Sequence, residues 1–176
     1  MSVAVLLLAL ASPHALADDS AVRFTAHQTF SNTTGHFRKF EGTFDIDRED
    51  LAASKVRVEI DAASIDTDND GRDDHLRNED FFHVDEHPKI VFESTSVTPT
   101  AKDRVRVKGT LTVKGKKVPV TFSMQLKWRD DGVDAFGRLT VDRNTLGLTY
   151  EAPFYAPALK PNVNLELDVK LRRRGG

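Results

Sequence analysis

The stretch Val105-Arg106-Val107-Lys108-Gly109-Thr110-Leu111-Thr112-Val113-Lys114-Gly115-Lys116-Lys117-Val118-Pro119-Val120-Thr121-Phe122-Ser123-Met124-Gln125-Leu126-Lys127-Trp128 decides the fold. Val105, Val107, Leu111 and Val113 share one phase. Val118, Val120, Phe122, Met124, Leu126 and Trp128 share another. Successive side chains of a strand point to opposite faces, so this alternation means two strands with one dry face and one wet face each. With Gly115-Lys116 as a two-residue loop, Val113 faces Val118, Leu111 faces Val120, Val107 faces Met124 and Val105 faces Leu126. Gly115 at the first loop position predicts a type II′ turn and a positive φ. Gly109 then falls opposite Phe122, where a missing side chain makes room for the ring.

The same period of two runs through Val22–Ala26, Thr43–Asp47, Lys55–Ile60 and Val163–Leu171, with a short apolar run at Lys89–Glu93. It predicts eight strands, near 22–30, 36–47, 54–61, 88–97, 103–113, 117–128, 133–142 and 162–172. Residues 72–83 resist a strand reading and suit a short helix or an irregular lid. Eight alternating strands joined mostly in sequence predict an all-β, up-and-down antiparallel barrel. A two-sheet sandwich gives the same alternation and is the alternative.

Composition narrows the function classes. The chain has 176 residues, 39% of them hydrophobic, which fits one globular domain. Lys and Arg number 25 against 27 Asp and Glu, so no basic excess exists to neutralise phosphates, and nucleic acid is not an expected partner. Cysteine is absent, which removes disulfides, thiolate metal sites and cysteine nucleophiles. No apolar run reaches the length of a membrane-spanning helix. Val3–Ala11 is a short apolar run, followed by Pro13 and the small-x-small pattern Ala15-Leu16-Ala17. That grammar predicts a secretory signal over 1–17 and a single domain over 18–176, although no Lys or Arg precedes the apolar run. Export without cysteine predicts a periplasmic or secreted protein.

The eleven phenylalanines equal the leucines that follow residue 17. Large flat rings suit an irregular apolar interior. An eight-stranded barrel is wide enough either to be filled by its side chains or to hold one small ligand. The apolar phase carries no ordered polar constellation, so a ligand held there would be greasy and chain-like.

Phe37-Arg38-Lys39-Phe40-Glu41-Gly42 and Ala63-Ser64-Ile65-Asp66-Thr67 resemble the YceI-like lipid- and polyisoprenoid-binding family. The most specific stretch is Arg72-Asp73-Asp74-His75-Leu76-Arg77-Asn78-Glu79-Asp80-Phe81-Phe82, followed by Pro88-Lys89-Ile90-Val91-Phe92-Glu93-Ser94-Thr95. Gly109–Gly115 and Asp142-Arg143-Asn144-Thr145-Leu146-Gly147 are similar to later segments of that family. The resemblance covers residues 20–172. It implies a lipocalin-like barrel holding a long-chain isoprenoid lipid of polyprenyl or quinone type in an exported bacterial protein. Alternation and resemblance together select Phe24, Phe44, Val58, Phe92, Val107, Leu111, Phe122, Met124 and Trp128 as inward ligand contacts. Leu76, Phe81 and Phe82 form the lid. The chain departs from the family pattern at His83 and His87, where an acid and an aromatic are expected, and at Leu146, where a Phe is expected.

Other constellations carry competing chemistry. Asp66-Thr67-Asp68-Asn69-Asp70-Gly71-Arg72-Asp73-Asp74 matches the opening of a calcium loop, but Arg77 stands where the bidentate Glu belongs. His83 and His87 have the four-residue spacing of metal ligands on a helix, but Pro88 biases His87 away from helix. No G-x-S-x-G turn and no H-E-x-x-H pair occurs. Arg143 is expected to be a buried structural cation paired with an acid. The reading is therefore a non-enzymatic binding protein with no catalytic residue, no metal and no cofactor; a homodimer is compatible with it. The rival is a metal-dependent or hydrolytic extracytoplasmic enzyme that uses the His- and Asp-rich segment 66–87.

Overall fold

The structure, a computed structural model, describes residues 14–174. Residues 1–13 of the expected signal lie outside the described residues. The strands are β1 (His14–Leu16), β2 (Ala21–Gln28), β3 (Asn32–Phe37), β4 (Phe40–Asp45), β5 (Lys55–Asp61), β6 (Ile65–Asp66), β7 (Lys89–Ala101), β8 (Arg104–Val113), β9 (Lys116–Arg129), β10 (Gly132–Asp142) and β11 (Leu159–Arg173), with one helix, α1 (Asp70–Arg77). All pairings are antiparallel. The order β4-β5-β7-β8-β9-β10-β11-β2 goes round the wall of a closed barrel, and β1, β3 and β6 complete the seam. Closure decides for the barrel over the sandwich. The strand expected over 36–47 is two strands, because the chain turns a corner at Arg38-Lys39. There the Arg38 N–H donates to the Ser64 carbonyl (3.1 Å), and the Lys39 carbonyl accepts from Asp61 N–H (3.0 Å).

The β8–β9 hairpin forms with its apolar faces as expected but slips by two residues. Val113 faces Lys116, Leu111 faces Val118, Val107 faces Phe122 and Val105 faces Met124. The loop is Lys114-Gly115, with φ of 48° and 74°. Gly115 has the expected positive φ, but two positive φ values make a type I′ turn, with glycine second, in place of type II′. Lys114 takes the left-handed conformation while its Nζ donates to the Glu79 carbonyl 2.7 Å away. A slip of two preserves every face, so the core is unaffected. Gly109 lies opposite Val120 and Ser94, not Phe122. The ring it accommodates is Phe92, which would stand 2.5 Å from a Cβ there.

The seam is closed at its two ends by different devices. At the base, β1 bridges the wall strands β4 and β11: Ala15 pairs with Arg172, Leu16 with Leu171, and His14 with both Phe44 and Arg173. At the other end, β3 pairs with β6 through Phe37 and Ile65. The Asp66 carboxylate there accepts from Arg38 Nε (2.5 Å) and from the Asp68 N–H (2.9 Å). These contacts, first the Asp68 N–H and then Arg38, hold the Asp66 carboxyl below the usual carboxylate range.

Three outcomes follow from these contacts. Gly115→Val forces a β-branched residue into the left-handed region and should cost about 1–3 kcal/mol, read as a lower urea midpoint; an unchanged midpoint would refute the type I′ turn. A chain beginning at Asp18 lacks β1 and the contacts of Leu16, about 2 kcal/mol of apolar burial. It should melt about 4–8 °C below a chain beginning at Ser12, and equal melting would show that β1 does not hold the barrel. Because folding lowers the Asp66 pKa, its stabilisation is complete above the unfolded value near 3.8 and disappears as pH falls through the folded value. The urea-midpoint gap between wild type and Asp66→Asn should therefore be wide at pH 6 and narrow at pH 3.

Candidate functional site

The inward side chains do not fill the barrel. They leave a cavity of about 390 Å³, within the ~300–1,000 Å³ usual for small-molecule sites. Its wall is almost wholly apolar because every strand turns its hydrophobic phase inward. Phe24 reaches it from β2, Phe44 from β4, Val58 from β5, Phe92 from β7, Val107 and Leu111 from β8, and Phe122 and Met124 from β9. The Phe92 and Phe122 rings tilt together with centroids 5.6 Å apart. Phe44, Val133 and Leu171, each 2% exposed, close the base.

Leu76, Phe81 and Phe82 line the cavity from α1 and the segment that follows it. Segment 70–77 is helical because Asn69 caps it, its side chain accepting from the Arg72 N–H at 2.9 Å. Arg77 ties the helix to the seam through the carbonyls of Ala63 and Ile65, both at 2.9 Å. The chain then folds back, with Phe82 N–H on the Leu76 carbonyl and Val84 N–H on that of Arg77, both 3.0 Å. This return presents Phe81 and Phe82 to the cavity. Phe81 stacks with His75 and Tyr150, with centroids 5.1 and 4.9 Å away.

Trp128 does not line the cavity. It shares the phase of Phe122 and Met124, but it lies below the base, packed on the Phe44-Val133-Leu171 cluster with the Arg48 guanidinium 5.0 Å over its ring. Alternation identifies a face but not a height along the barrel. The expected list also omitted wall residues on β10 and β11, such as Leu139, Leu165 and Leu167, whose alternation was visible.

The wall carries a few polar groups that the sequence did not order into a constellation, among them Arg72, His75 and Arg143. Arg143 is 4% exposed. Its five N–H donors reach the carbonyls of Leu148, Tyr150, Leu159 and Lys160 and the Glu151 carboxylate at 2.5–3.4 Å. It is the buried, acid-paired cation expected, and it pins the loop from β10 to β11. His75 shares a hydrogen bond with Asp80 (3.0 Å).

The acids of the 66–74 motif build local structure. Asp66 holds the seam. Asp73 is buried and accepts from the Thr67 N–H (3.0 Å) and hydroxyl (2.5 Å). Asp74 pairs with Arg77 at 3.0 Å. The segment that matches a calcium loop's opening thus leads into a helix, with the carboxylates of Asp66, Asp73 and Asp74 turned toward protein donors. The enzymatic reading of segment 66–87 meets the same geometry, since Asp66, Arg72 and Asp73 are engaged in structural bonds.

Among solved structures, the chain resembles Burkholderia cenocepacia BcnA, with a TM-score of 0.80, 23% identity, and coverage of 86% of this chain and 95% of that one. It also resembles a polyisoprenoid binding domain from Saccharophagus degradans, with a TM-score of 0.75, 14% identity, and coverage of 93% and 99%. Curated relatives include a UPF0312 protein of Azotobacter vinelandii, 37% identical over 112 residues, which are 64% of this chain and 57% of that protein. Protein YceI of Shigella flexneri is 39% identical over 105 residues, 60% of this chain and 54% of its own length. The match thus spans little more than half the length of these relatives. The sequence profile of the YceI-like domain matches residues 15–171, nearly all of the described barrel, and the chain belongs to the YceI-like family.

Proposed function

We propose that this chain is an exported, non-catalytic binding protein that holds the apolar chain of an isoprenoid lipid, of polyprenyl or quinone type, inside its barrel. The observation that carries the reading is an almost wholly apolar cavity of about 390 Å³ inside the barrel, lined at one end by Leu76, Phe81 and Phe82. The Saccharophagus degradans neighbour, described as a polyisoprenoid binding domain, supports the ligand class. Each buried CH₂ contributes about 0.8 kcal/mol, so one five-carbon isoprene unit contributes roughly 4 kcal/mol before ordering costs. A few units suffice for tight binding without a salt bridge.

Export belongs to the same proposal. Cleavage after Ala17 would remove β1. Cleavage after Ala11, behind the equally small-x-small Ala9-Leu10-Ala11, would retain it. N-terminal sequencing of protein recovered from the periplasm or medium distinguishes the two, and retention of full-length chain in the cytoplasm would refute export.

The function is tested by native mass spectrometry of detergent-free protein and by titration with polyprenyl alcohols of increasing length. Affinity should rise with length until the cavity is full and change little between low and high salt. Ala135 lines the lower cavity beside Leu126 and Val169. Ala135→Phe should displace about two ligand carbons and weaken the longest chains about tenfold, with short chains little affected. Trp128 sits at the base, so its fluorescence is a poor reporter. Lipid-free protein that binds no chain length would overturn the function.

A further inference from the structure

The segment that returns from the lid to β7 contains a side-chain cluster used by neither the fold nor the cavity. His83, Glu86 and His87 each bring a ligand atom to within 4.8 Å of the others. Both histidines are half-buried and Glu86 is exposed. His83 Nδ1 stands 3.7 Å from the Glu86 carboxylate, and the two imidazole centroids are 6.0 Å apart. The sequence argument against this site was Pro88, which disfavours helix at His87. The structure resolves that objection, because a single helical turn closes just before the proline. The His83 carbonyl accepts from the N–H of Glu86 (3.1 Å) and of His87 (2.8 Å), placing both rings on one side of the turn.

The turn is held from both sides. His83 N–H donates to the Asn78 carbonyl (2.8 Å), Val84 packs on the core, and the Pro88 carbonyl accepts from Ala62 N–H (2.9 Å). The His87 ring lies against Gly115 at the tip of the β8–β9 hairpin, where an added Cβ would stand 3.5 Å from it. The backbone that carries the three donors is therefore arranged before any ion arrives. His83 and His87 are also the positions where the chain departs from the acid and aromatic its family resemblance predicts.

We propose that His83, Glu86 and His87 bind one divalent transition-metal cation, with zinc the best match. Two imidazoles and one carboxylate form a borderline nitrogen–oxygen donor set. It suits zinc better than calcium or magnesium, which need several oxygens. Three protein ligands leave the fourth tetrahedral position to water. The ion would fasten the turn that follows Phe81 and Phe82 and so brace the lid over the cavity.

The test uses tag-free protein stripped with chelator and dialysed. Isothermal titration with zinc chloride should show one saturable site per chain, and millimolar calcium or magnesium should not compete. Cobalt(II) should give the visible absorption of a tetrahedral site. His87→Phe, His83→Asn and the exposed Glu86→Gln should each weaken zinc at least tenfold. Their metal-free melting temperatures show whether folding is retained, and Glu86→Gln keeps the test valid if a histidine variant misfolds. His27→Gln, outside both the cluster and the cavity, should bind zinc as wild type does. The absence of a saturable site in the wild type, or zinc binding unchanged in folded variants of the cluster, would overturn the proposal.

Discussion

The barrel depends on closing a seam between two strands that do not pair with each other, β4 and β11. An open antiparallel sheet would expose a row of unpaired backbone groups on each edge strand. Three residues of β1 bridge the gap at the base, with His14 opposite both Phe44 and Arg173. At the other end the corner at Arg38-Lys39 and the short β6 do the same work, fixed by Asp66. Once the seam is closed, the inward phases of all the strands face a common space that water reaches poorly, and the apolar composition of the wall acquires a purpose.

That space stays open because of where bulk and its absence fall. Gly109 has no side chain where the Phe92 ring needs room, so the ring lies flat against the wall beside Phe122. Phe44, Val133 and Leu171 plug the base, while Phe81 and Phe82 cap the far end from a segment whose position is set by Arg77 and the α1 carbonyls. Aromatic side chains on β2–β4 and on β7 and β9, with smaller Val and Leu between them, give an interior whose dimensions are fixed by rigid parts.

Alternation made the faces legible, and that was enough for the fold class and for most of the cavity wall. It did not fix the register of the hairpin. Val113–Val118 and Leu111–Val118 are equally acceptable apolar pairs, and a slip of two leaves every residue on its side. The left-handed backbone of Lys114, with its ammonium on Glu79, is a tertiary choice invisible to the pattern. Trp128 was misplaced for a related reason, since period two says in or out but not how far along the barrel. In the 66–74 segment the same residue types serve calcium loops and helix starts, because both need oxygens aimed at a concave backbone. Which one forms is decided by partners such as Arg38 that lie outside the motif, and by Thr67, a position the motif leaves unspecified. The single turn at 83–87 escaped the proline rule because it ends one residue early.

The polar groups on the cavity wall bear on what the proposed ligand can be. Arg143 directs all five donors to protein oxygens, and Arg72 gives its Nε and one Nη to Thr67. Arg143 is buried, so recruiting it for a lipid headgroup would mean breaking bonds made in a poorly hydrated place, where leaving the carbonyls unpaired costs about 1–3 kcal/mol each. A phosphate-bearing ligand therefore gains little from Arg143. On the proposed reading, discrimination comes from the length of the apolar chain, since methylenes beyond the cavity's capacity contribute nothing. The same wall that makes the interior dry also makes it indifferent to charge, which ties the ligand class to the alternation from which the fold was first read.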